Sequence, residues 1–181
     1  MAENISEYDA ELQALVAQSQ ETSGTAGWEV NKAMIQQWVE AFEDGNAMYT
    51  DEEYAKKSKY GGIIAPPPMT STFSGGPRWP VRETARQAAP GANKLTEMLH
   101  AEGYTQTVAT NNAWEFYRPI QPGDRLTSKG KTSNITTRKQ TRTGEGYFMT
   151  NDSIYYNQRG EMVAKQSFTT LRFKAPERKK E

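Results

Sequence analysis

The chain has 181 residues, with 22 Lys plus Arg against 22 Asp plus Glu, one histidine and no cysteine. That length fits one domain able to bury a core of its own. The balanced charge argues against a general nucleic-acid binder, which shows a basic excess, and the missing cysteine excludes thiol nucleophiles, thiolate metal sites and disulfides.

The hydrophobic share, 35 %, is low for a lone domain of this size and suggests a chain that completes its core or its site with a partner. No apolar run approaches the roughly 18 residues of a membrane span. The first twenty residues carry Glu3, Glu7, Asp9 and Glu11 and no basic start, unlike a secretory signal. A cytoplasmic protein without membrane contact is the expectation.

In chain order, residues 5–18 have helical spacing at Ile5, Leu12, Leu15 and Val16, followed by the small and polar stretch Glu21 to Gly27. Residues 1–27 therefore read as a poorly packed N-terminal helix and a linker. A better helix spans 32–43, where Met34, Ile35, Trp38, Val39 and Phe42 share one face and Gly45 and Asn46 end it. Thr50-Asp-Glu-Glu53 resembles a capping box, with Thr50 as the cap of a short helix over 51–58. Ser58 to Met69 forms a turn leading into Pro66, Pro67 and Pro68. Between 69 and 93, Gly75, Gly76, Pro77, Pro80, Pro90 and Gly91 forbid one long helix. Residues 93–102 return to helical spacing through Leu95, Met98 and Leu99, with Gly103 as the stop.

After residue 104 the period changes. Segments 107–118, 125–140, 146–157 and 161–173 are rich in Thr, Tyr, Phe, Ile and Val. Pro119/Pro122-Gly-Asp124, Thr143-Gly-Glu-Gly146 and Asn157-Gln-Arg-Gly160 separate them. These are strand and turn signals. Helices gathered first and four antiparallel strands after them make an α+β domain over 28–173, with a charged tail over 174–181.

Four segments carry a family resemblance. Phe42-Glu-Asp-Gly-Asn-Ala-Met-Tyr49, followed by Ala55, is similar to the hydratase motif of MaoC-like dehydratases. Asp44, Asn46, Met48 and Ala55 stand in register with it. Glu43 replaces its glycine, Ala47 its proline and Tyr49 its histidine. Tyr60-Gly-Gly-Ile-Ile-Ala-Pro-Pro67, Trp114 to Leu126 and Tyr156 to Val163 resemble later stretches of MaoC-like and FAS1-like dehydratase N-terminal domains, in the same order. The resemblance covers roughly 28–173. It implies a hot-dog fold, an antiparallel sheet wrapped around a central helix, here interrupted. It also implies enoyl-CoA hydration of the (R)-specific type.

That chemistry needs a base for water, an acid for the α-carbon and help for charge on the thioester oxygen. The resemblance implies an Asp/His dyad for the proton work. Asp44 and Tyr49 occupy the dyad positions, and a phenol with a pKa near 10 is a poor base at neutral pH. Asp44 also suits a helix-end turn bonded to local backbone, and Tyr49 a packed aromatic closing the old site. His100, the one histidine, lies in the later helix as an exposed or partly packed residue.

Hot-dog domains of this family pair side by side, and in many one half keeps the dyad while the other shapes the acyl pocket. The expectation is therefore a non-catalytic, substrate-shaping subunit beside a MaoC-like subunit with an intact Asp/His dyad. No metal is expected, and no cofactor beyond the CoA of the substrate. Asn46, Gly61, Gly62, Ile63, Met69, Phe73, Trp79 and Met98 are the substrate-binding candidates. Of these Met69, Phe73, Trp79 and Met98 would line a pocket for a bulky acyl or steroid side-chain thioester; bulky side chains filling that space are the alternative. Lys56, Lys57, Lys59 and Arg118 are the CoA phosphate candidates, with Lys131, Arg138 and Lys139 in the sheet half, although each also suits a solvated surface. Gly61 and Gly62 allow a ligand's close approach or simply make a turn. The competing functions are a self-sufficient homodimeric hydratase using Asp44 with Tyr49 or water, a hot-dog thioesterase and a non-enzymatic acyl-CoA binding module.

Overall fold

The computed structural model describes residues 5–75 and 92–175. Pro77, Trp79, Pro80, Pro90 and the end of the charged tail lie outside them. Among the described residues, six helices and six strands follow in the order α1 (Glu7–Ala17), β1 (Thr22–Thr25), α2 (Lys32–Phe42), α3 (Ala47–Thr50), α4 (Glu52–Lys57), α5 (Met69–Ser74), α6 (Ala92–Ala101), β2 (Gln106–Phe116), β3 (Thr127–Ile135), β4 (Lys139–Thr141), β5 (Gly144–Tyr156) and β6 (Met162–Phe173). The expected α+β order is present.

The described strands join one antiparallel sheet in the order β1-β3-β5-β6-β2, with β4 paired to β5. Two strands differ from the sequence expectation. The segment 125–140 divides into β3 and β4. The expected linker contains β1, whose Thr22, Ser23, Gly24 and Thr25 pair with Gly130 to Thr127 of β3. All four β1 residues are exposed. An edge strand held by backbone bonds needs no apolar alternation, so its sequence carries no strand period. The chain after it is tied too: Ala26 donates to the Leu126 carbonyl and Val30 to that of Asp124, both at 2.8 Å.

Nor is α1 poorly packed. Ser6 caps it by accepting from the Asp9 amide. Leu12 is fully buried with Leu95 and Leu99 of α6, Tyr104, and Ile135, Tyr147 and Met149 of the sheet. Asp9 is itself buried, and the Tyr147 hydroxyl donates to it at 2.7 Å. Tyr8 donates to the Met98 carbonyl at 2.9 Å. Burial pushes the Tyr8 phenol up to about 12, and burial followed by the Asp9 bond pushes Tyr147 higher still.

A second cluster gathers Ile35 and Val39 of α2, Ala55 of α4, Met69 and Phe73 of α5, and Tyr155 of β5. Asn31 caps α2 by accepting from the Met34 amide at 2.9 Å. Phe42, expected on the apolar face, is 67 % exposed and stacks on Trp38 with ring centres 4.4 Å apart. At the β4–β5 turn, Gly144 has φ 141°, and a Cβ there would sit 2.2 Å from the Lys174 carbonyl oxygen. The Thr-Gly-Glu-Gly signal thus marks a turn that no larger residue fits.

Tyr147→Phe removes the hydroxyl donor from buried Asp9 and should cost about 1–3 kcal/mol in urea unfolding. The raised phenols also predict alkaline sensitivity. Their contribution is complete below pH 10, where the unfolded phenols are neutral, and is lost as pH rises through the folded values. Tyr147→Phe should flatten that decline.

Candidate functional site

The hydratase-like segment folds as a chain of local caps. α2 ends at Glu43 in the left-handed region, φ 52°, and the Asp44 amide bonds back to the Val39 carbonyl at 3.0 Å. Among the described residues Glu43 is the one non-glycine with positive φ. The expected stop at Gly45 and Asn46 therefore comes two residues earlier. Asp44 Oδ1 accepts from the Asn46 amide at 3.1 Å, and Asn46 Oδ1 accepts from the Met48 amide at 3.0 Å to cap α3. Asp51, not Thr50, caps α4, accepting from the Tyr54 amide at 2.9 Å. An aspartate binds such amides better than a threonine can, because its carboxylate adds charge at the positive helix end.

Tyr49 is half-buried and packs against the second cluster together with Met48. Burial, and after it the Asp44 charge, push its phenol up. A raised phenol is a still poorer source of base at neutral pH. His100 is exposed on α6.

The Gly-Gly-Ile-Ile segment follows directly. Gly61 takes φ 71° in the turn after Ser58. Ile64 donates to the Met48 carbonyl at 3.3 Å and Ala65 to the Ile120 carbonyl at 2.8 Å, which ties this segment to α3 and to the Pro119–Pro122 loop. The three prolines before α5 have no N–H. The first amides after them, Met69, Thr70 and Ser71, already donate to Pro66, Pro67 and Pro68 at 2.9, 3.1 and 3.3 Å. A helix start usually leaves several free donors that can hold an oxyanion; this one has spent them.

A hollow of about 300 Å³ brings Lys56, Gly61, Gly62 and Ile63 together with Lys32 and Gln121. Lys32 pairs with Glu52, and Lys56 lies 3.0 Å from Glu53. Lys32 and Gln121 were not singled out from the sequence, although Gln121 stands inside the Pro-Ile-Gln-Pro segment. Lys57 and Lys59 do not line this hollow; Lys59 sits 5.0 Å over the Tyr60 ring. Arg118 pairs with Glu161 and lines a separate hollow of about 180 Å³ with Tyr60, Phe116 and Tyr117.

The candidate acyl-pocket residues that the structure describes do not all meet. Met69 and Phe73 are sealed in the second cluster at 1 % and 0 % exposure, whereas Met98 packs against the α1–α6 cluster. Trp79 lies outside the described residues. α5 ends at Ser74, before an extended Gly75, which fits the short helix expected there.

Comparison with known proteins names the family. Residues 18–166 match the FAS1-like, dehydratase domain region. The chain belongs to this family. It is 36 % identical to a probable enoyl-CoA hydratase alpha subunit of Thermomonospora curvata over 93 % of its own length and 52 % of the relative's. It is 32 % identical to a 3-oxo-4,17-pregnadiene-20-carboxyl-CoA hydratase alpha subunit of Mycobacterium tuberculosis, over 80 % of its own length and 45 % of the relative's. The chain thus spans about half the length of the curated relatives it matches. Among solved structures, it overlays on a chain of the ChsH1-ChsH2 complex from Mycobacterium tuberculosis with a TM-score of 0.78, at 27 % identity, covering 94 % of this chain and 92 % of that one. A MaoC-like dehydratase from Rhodospirillum rubrum gives a TM-score of 0.60 at 23 % identity, covering 88 % and 94 %. The fold of this FAS1-like dehydratase region is the hot dog.

In MaoC-like dehydratases a glycine stands where this chain has Glu43, and the left-handed backbone at Glu43 explains the preference. Glu43→Gly should raise unfolding stability by about 1 kcal/mol, read from the urea midpoint at unchanged slope.

Proposed function

We propose that this chain is the non-catalytic, substrate-shaping subunit of a heteromeric enoyl-CoA hydratase. The observation that carries the proposal is the hydratase-like segment itself. Its Asp44 and Asn46 cap turns, its Tyr49 is a packed phenol held neutral, and it contains no imidazole. Hydration at neutral pH needs a group that both takes and gives a proton there, and the spent amides of α5 offer the thioester oxygen no backbone donor. Both functions then fall to a MaoC-like partner with an intact Asp/His dyad. The names of the relatives, alpha subunits of hydratases, support a subunit of a heteromeric enzyme.

β2 is the natural docking edge. It lies at the end of the sheet, and every residue of it except Trp114 is exposed. Trp114 stacks between Phe116 and Tyr155 with centres 5.6 and 5.4 Å away, an aromatic band along that edge. A long unpaired edge of this kind invites another strand. The acyl chain would lie between the two halves. A bulky group such as a steroid side chain is the acyl class this reading favours, on the substrate in the second relative's name. Lys32 and Lys56, at the hollow floored by Gly61 and Gly62, suit the CoA phosphates. No described helix is long and apolar enough to cross a membrane, and we place the subunit in the cytoplasm, with CoA entering only as part of the substrate.

Two assays test this. The purified chain alone should hydrate no enoyl-CoA, and co-expression with a dyad-bearing MaoC-like subunit should restore turnover. Robust turnover by the isolated chain would overturn the proposal. On the assembled enzyme a bulky enoyl-CoA should exceed crotonyl-CoA in kcat/KM by roughly tenfold or more, a difference of about 1.4 kcal/mol; equal values would refute the enlarged pocket.

A further inference from the structure

The inner face of the sheet is apolar at its two ends and polar between them. Side chains alternate along a strand, so Asn151 and Ser153 of β5 share the face of Tyr147, Met149 and Tyr155, which belong to the two core clusters. The strand registers carry that face across the sheet in rows. One row runs Thr132, Asn151, Phe168, Asn112 from β3 to β2. The next runs Gly130, Ser153, Gln166, Trp114. Trp114 packs against the second cluster, whereas Phe168 belongs to neither. Asn112 is exposed, and Asn151, Gln166 and Phe168 are half-buried. The described helices stand on the clusters at either end, and this strip is the floor between them.

The amides of the strip are tied through their oxygens. Asn151 Oδ1 accepts from the Thr132 hydroxyl at 2.9 Å, Gln166 Oε1 from the Tyr155 hydroxyl at 2.7 Å, and Asn112 Oδ1 from Gln166 Nε2 at 2.9 Å. Each amide also carries two N–H donors. Among the described residues the Asn151 Nδ2 donates to no acceptor. One row on, beside Met149, Thr170 is 8 % exposed and its hydroxyl has no partner. A buried hydroxyl in that state is rare and calls for one. Asn151 and Thr170 are diagonal neighbours on one face, within reach of a single oxygen between them.

We propose that this strip receives a carbonyl oxygen borne by the acyl group at a distance from the thioester. The inference rests on the acyl-CoA reading above and adds to it the polarity of the acyl group. The oxygen accepts from Asn151 Nδ2 and from the Thr170 hydroxyl, and the apolar skeleton lies along the Phe168 ring. Neither row carries a charged side chain, so a carboxylate would be buried without a counter-ion. A hydroxyl would bring a donor of its own to amide oxygens that already accept. Asn151 is four residues from Tyr155, about 14 Å along the strand. Only a long or polycyclic acyl group spans that distance from the cluster on which Tyr49 packs.

Calorimetry on the chain assembled with its MaoC-like partner tests this, with three saturated polycyclic acyl-CoAs that differ only in a ring ketone, hydroxyl or methylene. The ketone should bind tenfold or more tightly than the methylene compound, since a site built to bond an oxygen rejects the analogue lacking it. Asn151→Asp keeps the acceptor for Thr132 and removes the N–H donors. It should abolish the ketone preference and leave methylene binding within about threefold. Thr170→Val should narrow the preference without lowering the urea midpoint, because the hydroxyl it removes has no partner in the free protein. Saturated thioesters cannot be hydrated, so the preference is read separately from the activity: a complex that prefers the ketone yet hydrates no enoyl-CoA fails as a hydratase and upholds the strip. Equal binding of ketone and methylene, a preference for the hydroxyl, or an unchanged preference in a folded Asn151→Asp complex would each overturn the proposal.

Discussion

An antiparallel sheet of long strands can exist in water only if one of its faces is covered, and the whole molecule is arranged around that demand. Tyr147, Met149 and Tyr155 line the inner face of β5, and each needs a different cover. α1 and α6 supply it at one end and α2, α4 and α5 at the other. The Asp9–Tyr147 bond locks the N-terminal helix onto this face, because a buried carboxylate tolerates no loss of its donor. What the helices leave open then becomes available, above all the exposed β2 edge.

The same economy shapes the candidate site. Turning the chain sharply from α2 into α3 and α4 leaves amides that need acceptors, and Asp44, Asn46 and Asp51 provide them. In this chain those polar side chains are occupied by the fold. The three prolines ahead of α5 act similarly on the other wall, removing donors that a helix start would otherwise present. At the periphery lies the hollow of the glycine turn, where Lys32 and Lys56 are held in exposed pairs with Glu52 and Glu53.

Most of this was legible in the sequence where one physical signal dominated. The four long strands announce themselves by β-branched and aromatic runs between glycine turns, and α2 by its apolar stripe. β1 was not legible, since Thr22 to Thr25 is held by backbone bonds and buries no side chain. The packing of α1 depends on Asp9, a charged residue whose burial only a partner far along the chain, Tyr147, makes possible. Asp51 outcompeted Thr50 as a cap because both residue types suit the position and one residue of register decides. In the site, the replaced histidine was visible at once. Lys32 was not, because it reaches the glycine turn through the folding of α2 beside α4, and Met98 was wrongly grouped with Met69 because helical spacing does not say which cluster a helix joins.

The central claim is that proton transfer belongs to the partner and this chain's motif is structural. The most direct measurement is kcat of the assembled hydratase with Asp44→Asn and Tyr49→Phe combined in this chain; the first keeps the acceptor for the Asn46 amide and the second keeps the packed ring. The account predicts kcat within about twofold of the wild-type complex, since neither group moves a proton. A fall of roughly 10²-fold or more, the usual contribution of a general acid or base, in a complex that still assembles would contradict it.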